Sequence, residues 1–256
     1  MRPNIIPTDD QFIFHEPWRQ QYPWLIQGVT TRRFGANGDP KHIDLRRLQD
    51  HLNVHHVPLI FCEQVHGSRV AVVDDLKKFP LGEGQFHQIP ETDALVLAMN
   101  NVMVQIFTAD CPPIFLLDSR LRRGALAHAG WRGTFDEITV RTIEAMTQLG
   151  SNVRDLSCWI GPGIKECCFE VGEDLLDRFK SKFPDCAQTN GGRTVDLVAI
   201  NVSQACRAGI APDNIAVAPF CTQCDSDEFF SYRADNGKTG RNISVLLFLD
   251  DHAVNS

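Results

Sequence analysis

Two apolar segments that lie close together in the chain limit the folds open to it. Residues 114–118 read IFLLD and residues 124–130 read GALAHAG, so neither segment alternates between apolar and polar side chains. Such runs are typical of strands buried on both faces, and they predict a sheet with a packed layer on each side. Cys111 and His128 stand where these strands meet loops, a position that holds a side chain rigidly yet exposes it to a ligand.

Further strands and helices interleave along the rest of the chain. Hairpins are predicted at two places, joining residues 58–67 to 68–75 and residues 94–98 to 102–110. Residues 79–91 contain two prolines and two glycines and are expected to form an exposed loop. The pattern predicts an α+β fold, a single domain over residues 1–256 with mixed, hairpin-rich β-sheets and helices packed outside.

Local signals mark the ends of several helices. Asp196 and Gly209 have the residue types of an N-cap and a stop, which predicts a helix from 196 to 208. Thr134 and Glu137 have the spacing of a capping box and predict another helix start. Two more helices are predicted from apolar spacing, over residues 40–52 and 173–181.

Composition excludes several classes of protein. The 256 residues carry a net charge of −7, so we expect no nucleic-acid partner. The N-terminal segment lacks the apolar run of a secretory signal, and no segment approaches the ~18 apolar residues of a membrane span. We therefore expect a cytoplasmic protein with no membrane partner. An odd number of cysteines, nine, favours reduced thiols over disulfides in a chain of this size.

Cys111, His128 and a third residue, His66, are the residues most suited to chemistry. His66 follows a predicted strand in the sequence EQVHG. Two imidazoles, one thiol and an open position are what a catalytic zinc site requires. The same three residues could instead provide a cysteine nucleophile and a histidine base. Their spacing does not separate the two possibilities, because they stand on different strands.

Copper and phosphate-loop chemistry find less support. The nine histidines include no His-x-His pair, whereas a multi-copper cluster needs many clustered imidazoles. Copper is therefore not the expected metal. The glycine-containing segments GANG and GEG match neither of the common phosphate-binding patterns.

Four other cysteines occur as two short pairs. Residues 221–224 read CTQC, but one CxxC without a second is a weak zinc signal, and its position between strands does not favour redox chemistry. Cys167 and Cys168 are adjacent, and ordinary packing is the expectation for them.

Seven segments, in this order, resemble the laccase-domain family: QVHGSRV, TDALVL, FTADCPPIFLLD, LAHAGWRGT, IGPGIKECCFEVG, FCT and FFSYR. Members of that family are named purine nucleoside phosphorylase, polyphenol oxidase or peptidoglycan editing factor. The resemblance extends from Gly28 to Leu249. It implies an α+β domain related in fold to the Cys–His deamidating toxins.

The resemblance also implies a function and a set of site residues. It implies a Zn²⁺ ion bound by His66, Cys111 and His128, and activity on small molecules: phosphorolysis of adenosine, inosine, guanosine or methylthioadenosine, and deamination of adenosine. Arg32, which matches an arginine of the family, and Arg132 are the candidates to bind phosphate or substrate. The sequence indicates neither the proton-donating acid nor the oligomeric state.

Two alternatives stay open. Cys111 and His128 could form an amidohydrolase that removes L-serine from muropeptide precursors in peptidoglycan synthesis, which the resemblance also implies. Zinc could otherwise only stabilise a non-catalytic binding module. The chain also departs from the family pattern at Ala234, where a second arginine usually follows SYR, and in the segment TTRRFGANG. These departures affect the segments expected to select the substrate.

Overall fold

The computed structural model describes residues 10–34, 45–55, 57–81, 86–184 and 192–251. Part of the helix predicted over 40–52 therefore lies outside the described residues. The described strands are β1 (Phe12–Ile13), β2 (Leu25–Thr30), β3 (Leu59–Cys62), β4 (Val70–Val73), β5 (Phe86–Ile89), β6 (Ala94–Leu97), β7 (Met103–Thr108), β8 (Pro113–Asp118), β9 (Arg123–His128), β10 (Leu156–Ile160), β11 (Ile215–Val217) and β12 (Asn242–Phe248). The described α-helices are α1 (Glu16–Gln21), α2 (Leu45–His51), α3 (Trp131–Phe135), α4 (Ile138–Gln148), α5 (Glu173–Lys182) and α6 (Leu197–Ala208).

The described strands form two sheets of six. The first sheet has the order β1-β2-β12-β7-β3-β5, and the second has the order β11-β10-β8-β9-β6-β4. Both contain parallel and antiparallel pairs: β3 pairs in parallel with β5 and β7, for example, while β8 and β9 are antiparallel. The prediction of an α+β fold with mixed sheets is confirmed.

The two sheets pack face to face and helices cover their outer faces. Alternate residues of one strand enter different layers, as the period of two in a strand requires. Leu246 and Phe248 of β12 enter the core between the sheets, while Val245 and Leu247 pack with the helix α2. On the other side, α4 and α6 cover the second sheet. At Gly124 a Cβ would lie 2.9 Å from the Phe248 ring, so the sheets approach there as only glycine allows.

Three connections pass from the first sheet to the second: β3 to β4, β5 to β6, and β7 to β8. The two predicted hairpins, β3–β4 and β6–β7, are therefore wrong. Gly67 and Ser68 do form a bend, but the chain changes sheet there instead of reversing within one. The physical reason is burial: β3 and β7 each find neighbours in the first sheet, and β4 and β6 in the second, so each strand packs against the core. The expected loop at 79–91 is also partly wrong, because β5 forms a half-buried edge strand.

The predicted ends of α6, each of which depends on one residue, are confirmed. The Asp196 side chain accepts a hydrogen bond from the Ala199 amide, and Gly209 ends α6 with φ of +111°. The capping box is wrong: Thr134 lies within α3, where its hydroxyl donates to the Ala129 carbonyl. Glu137 takes a left-handed backbone at the start of α4 and pairs with Arg207. None of the helices in the described ranges combines the length and the apolar character that crossing a bilayer would need.

Candidate active site

The three sheet-crossing connections each carry one residue of a compact cluster. The strands β3, β5 and β7 are parallel, so they end at the same edge of the first sheet. His66 follows β3, Asp93 follows β5, and Cys111 follows β7. His128 ends the antiparallel strand β9, opposite Pro113 at the start of β8, and therefore lies at the same end. The topology thus brings together the three residues singled out from the sequence and adds Asp93.

Asp93 is fully buried and fixes both histidines of this cluster. Its carboxylate accepts hydrogen bonds from the amides of Val65, His66 and Gly67 at 3.2, 3.0 and 2.7 Å. These bonds hold the loop although His66 has a left-handed φ of +59°, which costs a non-glycine residue energy. His128 Nδ1 lies 2.8 Å from Asp93 Oδ1. Because a carboxylate only accepts, Nδ1 carries the proton, and Nε2 is left to bind a metal or a thiol.

Charge in the cluster is concentrated on Cys111 and His128. Burial opposes a thiolate, but the charge of His128 and hydrogen bonds to His128 and His66 lower the pKa of Cys111 to about 6. Burial also opposes the imidazolium, but the Cys111 thiolate and Asp93 raise the pKa of His128 to about 9. In the absence of a metal the two residues thus form an ion pair. Burial would raise the pKa of Asp93, yet its hydrogen bond to His128 and the loop amides keep that pKa below the ordinary value.

His66, Cys111 and His128 could hold a metal ion. Their donor atoms all lie within 4.8 Å of one another. The two imidazole rings meet edge to face, with centroids 4.8 Å apart. Gly130 leaves the space beside them: a Cβ there would lie 3.0 Å from Cys111 Sγ and 3.2 Å from His66 Cδ2. The glycine in the sequence HAG is therefore part of the site, because a larger residue would push the donors apart.

A cavity of about 760 Å³ opens onto this cluster. Its lining includes all three donor residues and a set of aromatic rings: Phe61, Phe107, Trp131, Phe169 and Tyr232. Pockets of roughly 300–1,000 Å³ with apolar walls and a few polar groups are typical of small-molecule sites.

Arginine side chains supply the positive charge of the cavity. Arg132 lines it, as predicted for a residue that meets substrate, and its guanidinium stacks on Trp131 at 4.3 Å. Arg32 does not line it: the side chain pairs with Asp235 at 2.7 Å. Two arginines that the sequence reasoning did not select, Arg233 and Arg241, line the cavity as well. The segment FFSYR contained Arg233 and was the available signal for it.

Asp110, next to Cys111, anchors the cavity wall. Its Oδ1 accepts hydrogen bonds from the Thr222 and Ser231 hydroxyls, both at 2.7 Å, and its Oδ2 accepts one from the Arg233 amide. With both oxygens engaged, this carboxylate joins the loops after β7 and β11. Its position explains why a charged residue follows a buried strand here.

Comparison with known proteins identifies the family. Residues 35–249 match the sequence model of the family described as multi-copper polyphenol oxidoreductase laccase. The chain belongs to this family. Within this laccase-type family, the chain is 33% identical over 194 residues to a protein named adenosine deaminase from an unknown prokaryotic organism, covering 73% of this chain and 74% of that one. It is 32% identical over 217 residues to a protein of Clostridium acetobutylicum named purine nucleoside phosphorylase, covering 84% and 86%.

Solved structures give the same assignment for the fold. The crystal structure of YlmD from Geobacillus stearothermophilus superposes with a TM-score of 0.79 at 28% identity, covering 89% of this chain and 94% of that one. The laccase-type family carries copper in its description. In the described part of this family member, the cluster at the cavity offers two imidazoles and one thiol.

Proposed function

We propose that this protein is a zinc-dependent purine nucleoside enzyme that catalyses phosphorolysis of adenosine, inosine, guanosine or methylthioadenosine and deamination of adenosine. The observation that carries the proposal is the convergence of His66, Cys111 and His128 at a cavity lined by aromatic rings and arginines. Relatives about a third identical to this chain are named for these two activities.

The donor set suits zinc. Zn²⁺ binds histidine nitrogen and cysteine thiolate, and catalytic sites keep three protein ligands and an open position. The pair His128–Asp93 has the arrangement of a metal-binding histidine backed by a carboxylate. When bound, Zn²⁺ supplies Lewis-acid activation of water or of a substrate atom. Gly130 leaves room beside the donors, because a Cβ there would crowd Cys111 Sγ and His66 Cδ2.

The cavity residues suit both proposed substrates, a purine nucleoside and phosphate. Aromatic rings offer stacking surfaces for a purine, worth about 1–3 kcal/mol per base in nucleic-acid sites. Phosphate needs cationic donors with several N–H groups, and Arg132, Arg233 and Arg241 line the same cavity. Arg233 is already oriented, because its guanidinium donates to the carbonyls of Cys168 and Glu170.

Proton transfer needs an acid, and Glu63 is our candidate. Among the residues that the structure describes, three carboxylates line the cavity: Glu63, Asp110 and Glu170. Asp110 accepts three hydrogen bonds, and Glu170 pairs with Arg193 at 2.7 Å. Glu63 makes no ion pair within the described residues and so can exchange a proton with substrate or water.

Glu63→Gln tests this role directly. We expect kcat for adenosine deamination to fall roughly 10²- to 10⁴-fold, as is typical for loss of a general acid or base. Zinc content and KM should change little, because glutamine keeps the size and a carbonyl oxygen. The matched control is Glu170→Gln, which alters an exposed, ion-paired carboxylate of the same cavity. Equal kcat values for both variants would remove Glu63 from the mechanism.

The decisive experiment is product analysis. Zinc-loaded protein is incubated with adenosine, with and without phosphate. We expect inosine and ammonia in both reactions, and adenine with ribose 1-phosphate only when phosphate is present. The Cys111→Ala variant should form neither set of products. If no purine nucleoside yields any product with fully zinc-loaded protein, the proposal fails.

A cysteine–histidine amidohydrolase is the second candidate. The hydrogen bonds of Cys111 to His66 and His128 favour it, because they are the contacts that activate a thiol nucleophile. Metal-free protein should then cleave an L-serine-containing muropeptide precursor and lose that activity after alkylation of Cys111. Zinc-loaded protein that is active only on nucleosides would exclude this function.

A further inference from the structure

Four cysteine thiols converge at a place separate from the cluster just described. Cys167 and Cys168 lie between β10 and α5, and Cys221 and Cys224 lie after β11. Their four sulfur atoms lie within 4.8 Å of one another. All four are free thiols in the structure. Two neighbouring thiols are common in proteins. Four thiols from two distant segments are the number of ligands that a structural zinc ion needs.

The fold itself brings the two segments together. The strands β10 and β11 are parallel neighbours, and their pairing continues beyond the strands as a bridge between Gly163 and Cys221. The Thr222 amide donates to the Gly163 carbonyl at 3.2 Å. The CTQC segment therefore starts beside the segment that leads to the adjacent cysteine pair, and the sequence separation of more than 50 residues is closed by the sheet.

The distances between sulfurs suit a single ion. Cys224 Sγ lies 3.3 Å from Cys168 Sγ and 3.6 Å from Cys167 Sγ. Four thiolates around one tetrahedral Zn²⁺ with Zn–S of about 2.3 Å lie about 3.8 Å apart. A cluster of several iron atoms holds its thiolates farther apart, because the metal atoms occupy the centre.

The backbone around Cys221 has the form of a thiolate-binding loop. The sulfur of Cys221 accepts a hydrogen bond from the Lys165 amide at 3.5 Å. Asp225 holds the loop closed, because its carboxylate accepts from the Cys221 amide and its own amide donates to the Cys221 carbonyl. Amide donors stabilise the negative charge that a sulfur carries when it binds a metal.

We propose that Cys167, Cys168, Cys221 and Cys224 bind one Zn²⁺ ion in a closed tetrathiolate site. Four cysteine ligands in tetrahedral geometry define a structural zinc site, which leaves no open position for substrate. Cys167 and Cys224 are exposed, so an ion can reach the site from solvent. The residues Cys167, Cys168, Cys221 and Cys224 are called the four-thiol site below.

This site braces the wall of the cavity. The Ile164 amide donates to the Asp110 carbonyl at 2.7 Å, and the Thr222 hydroxyl donates to the Asp110 carboxylate. Gly163 packs so closely on Pro112 that a Cβ would lie 2.8 Å from its Cα. Both cysteine-bearing segments thus contact the loop that carries Cys111. An ion that ties the two segments together fixes this loop and the residues Ile164 and Phe169, which line the cavity.

The test counts zinc in a background that lacks the other cluster, so it is independent of the proposed function. Full-length His66→Ala/Cys111→Ala protein is produced with added zinc and purified with a non-thiol reductant and no chelator. We expect one Zn²⁺ per chain by elemental analysis. Adding Cys224→Ser should remove that ion, while adding Cys206→Ser, a half-buried cysteine outside both clusters, should leave it.

A second measurement covers the case in which Cys224→Ser fails to fold. Metal-free His66→Ala/Cys111→Ala protein is titrated with Co²⁺, which reports its ligands by absorption. We expect saturation at one equivalent, with the intense thiolate-to-cobalt and visible bands of a tetrahedral tetrathiolate, and complete loss of these bands when Zn²⁺ is added. A folded, reduced background protein that holds no zinc and gives no such bands overturns the proposal. So does a disulfide to Cys224 found by peptide mass analysis of the protein purified under these conditions.

Discussion

The two clusters of this molecule use the same kinds of donor but are held in different ways. His66, Cys111 and His128 stand at strand ends where the chain passes between two sheets or leaves one. The four-thiol site stands on loops that are joined by a short continuation of a parallel strand pair. The first cluster is therefore positioned by the core. The four-thiol site, in contrast, would hold together the loops that carry it.

The two clusters also differ in their donor atoms and in their surroundings. The first cluster has three donors, a buried carboxylate behind one of them and a cavity in front. The second has four sulfur donors, two of them exposed, and a backbone amide that donates to one of them. Three donors with an open position are suited to catalysis, and four donors are suited to structure. Substitutions at the two clusters test this assignment of roles.

The largest effect is expected for Cys111→Ala. Turnover of nucleoside should fall by at least about 10³-fold, as is common when a residue acting directly in chemistry is removed. When the two proteins are compared without metal, the melting temperature should change little, because strands rather than the metal hold the loop. Cys206→Ala is the matched control, since it removes a half-buried thiol outside both clusters. An unfolded Cys111→Ala protein would make both clusters structural and favour the non-catalytic zinc module.

Asp93→Asn should have an intermediate effect. Zinc affinity of the first cluster should fall roughly 10- to 100-fold, the usual cost of losing a carboxylate behind a metal-binding histidine. The one oxygen of asparagine can accept from the amides of Val65 and Gly67, but its NH2 group would then face the His66 amide and His128 Nδ1, so the support of the metal-binding histidine is lost. Competition with a chelator measures the affinity.

Asp225→Asn is the parallel change at the four-thiol site, where the carboxylate accepts a hydrogen bond from the Cys221 amide. The side-chain oxygen of asparagine can accept the same hydrogen bond, so the zinc content of the four-thiol site should be unchanged. Equal losses of zinc in the two variants would mean that the clusters depend on their carboxylates in the same way.

Cys224→Ser should affect stability more than activity. The zinc-replete protein should melt about 5–10 °C lower, since an ion at 100 times its Kd contributes about 2.7 kcal/mol and each kcal/mol shifts the midpoint by about 2–4 °C. Activity should fall only about 2- to 30-fold in kcat/KM, the range for residues that act on a site through packing. Loss of activity as complete as in Cys111→Ala would contradict a purely bracing role.

The sequence predicted best what neighbouring residues decide. Both ends of α6 followed from single residues, Asp196 at the start and Gly209 at the end, because a helix cap depends on the adjacent turn of the same helix. His66, Cys111 and His128 were selected because each follows or ends an apolar run. The hairpin predictions were wrong because a glycine turn does not specify the sheet of the next strand. That choice depends on partners far along the chain, such as β12 beside β7.

The site residues that the sequence did not predict depend on partners far along the chain. Asp93 binds three backbone amides and one imidazole, and none of these partners is recognisable from its own side-chain pattern. The CTQC pair was a weak zinc signal alone, and it becomes a complete ligand set only beside Cys167 and Cys168. Arg32 was predicted to contact substrate, but its place outside the cavity lining depends on the distant Asp235.

The place of β12 in the first sheet has a consequence for how the chain folds during synthesis. This strand, residues 242–248, lies between β2 and β7, so the first sheet stays in two parts until it has been made. Its pairing partners are more than 100 residues earlier, and such non-local contacts slow folding. Until then the edges of β2 and β7 that pair with β12 lack that partner, and unpaired strand edges favour aggregation.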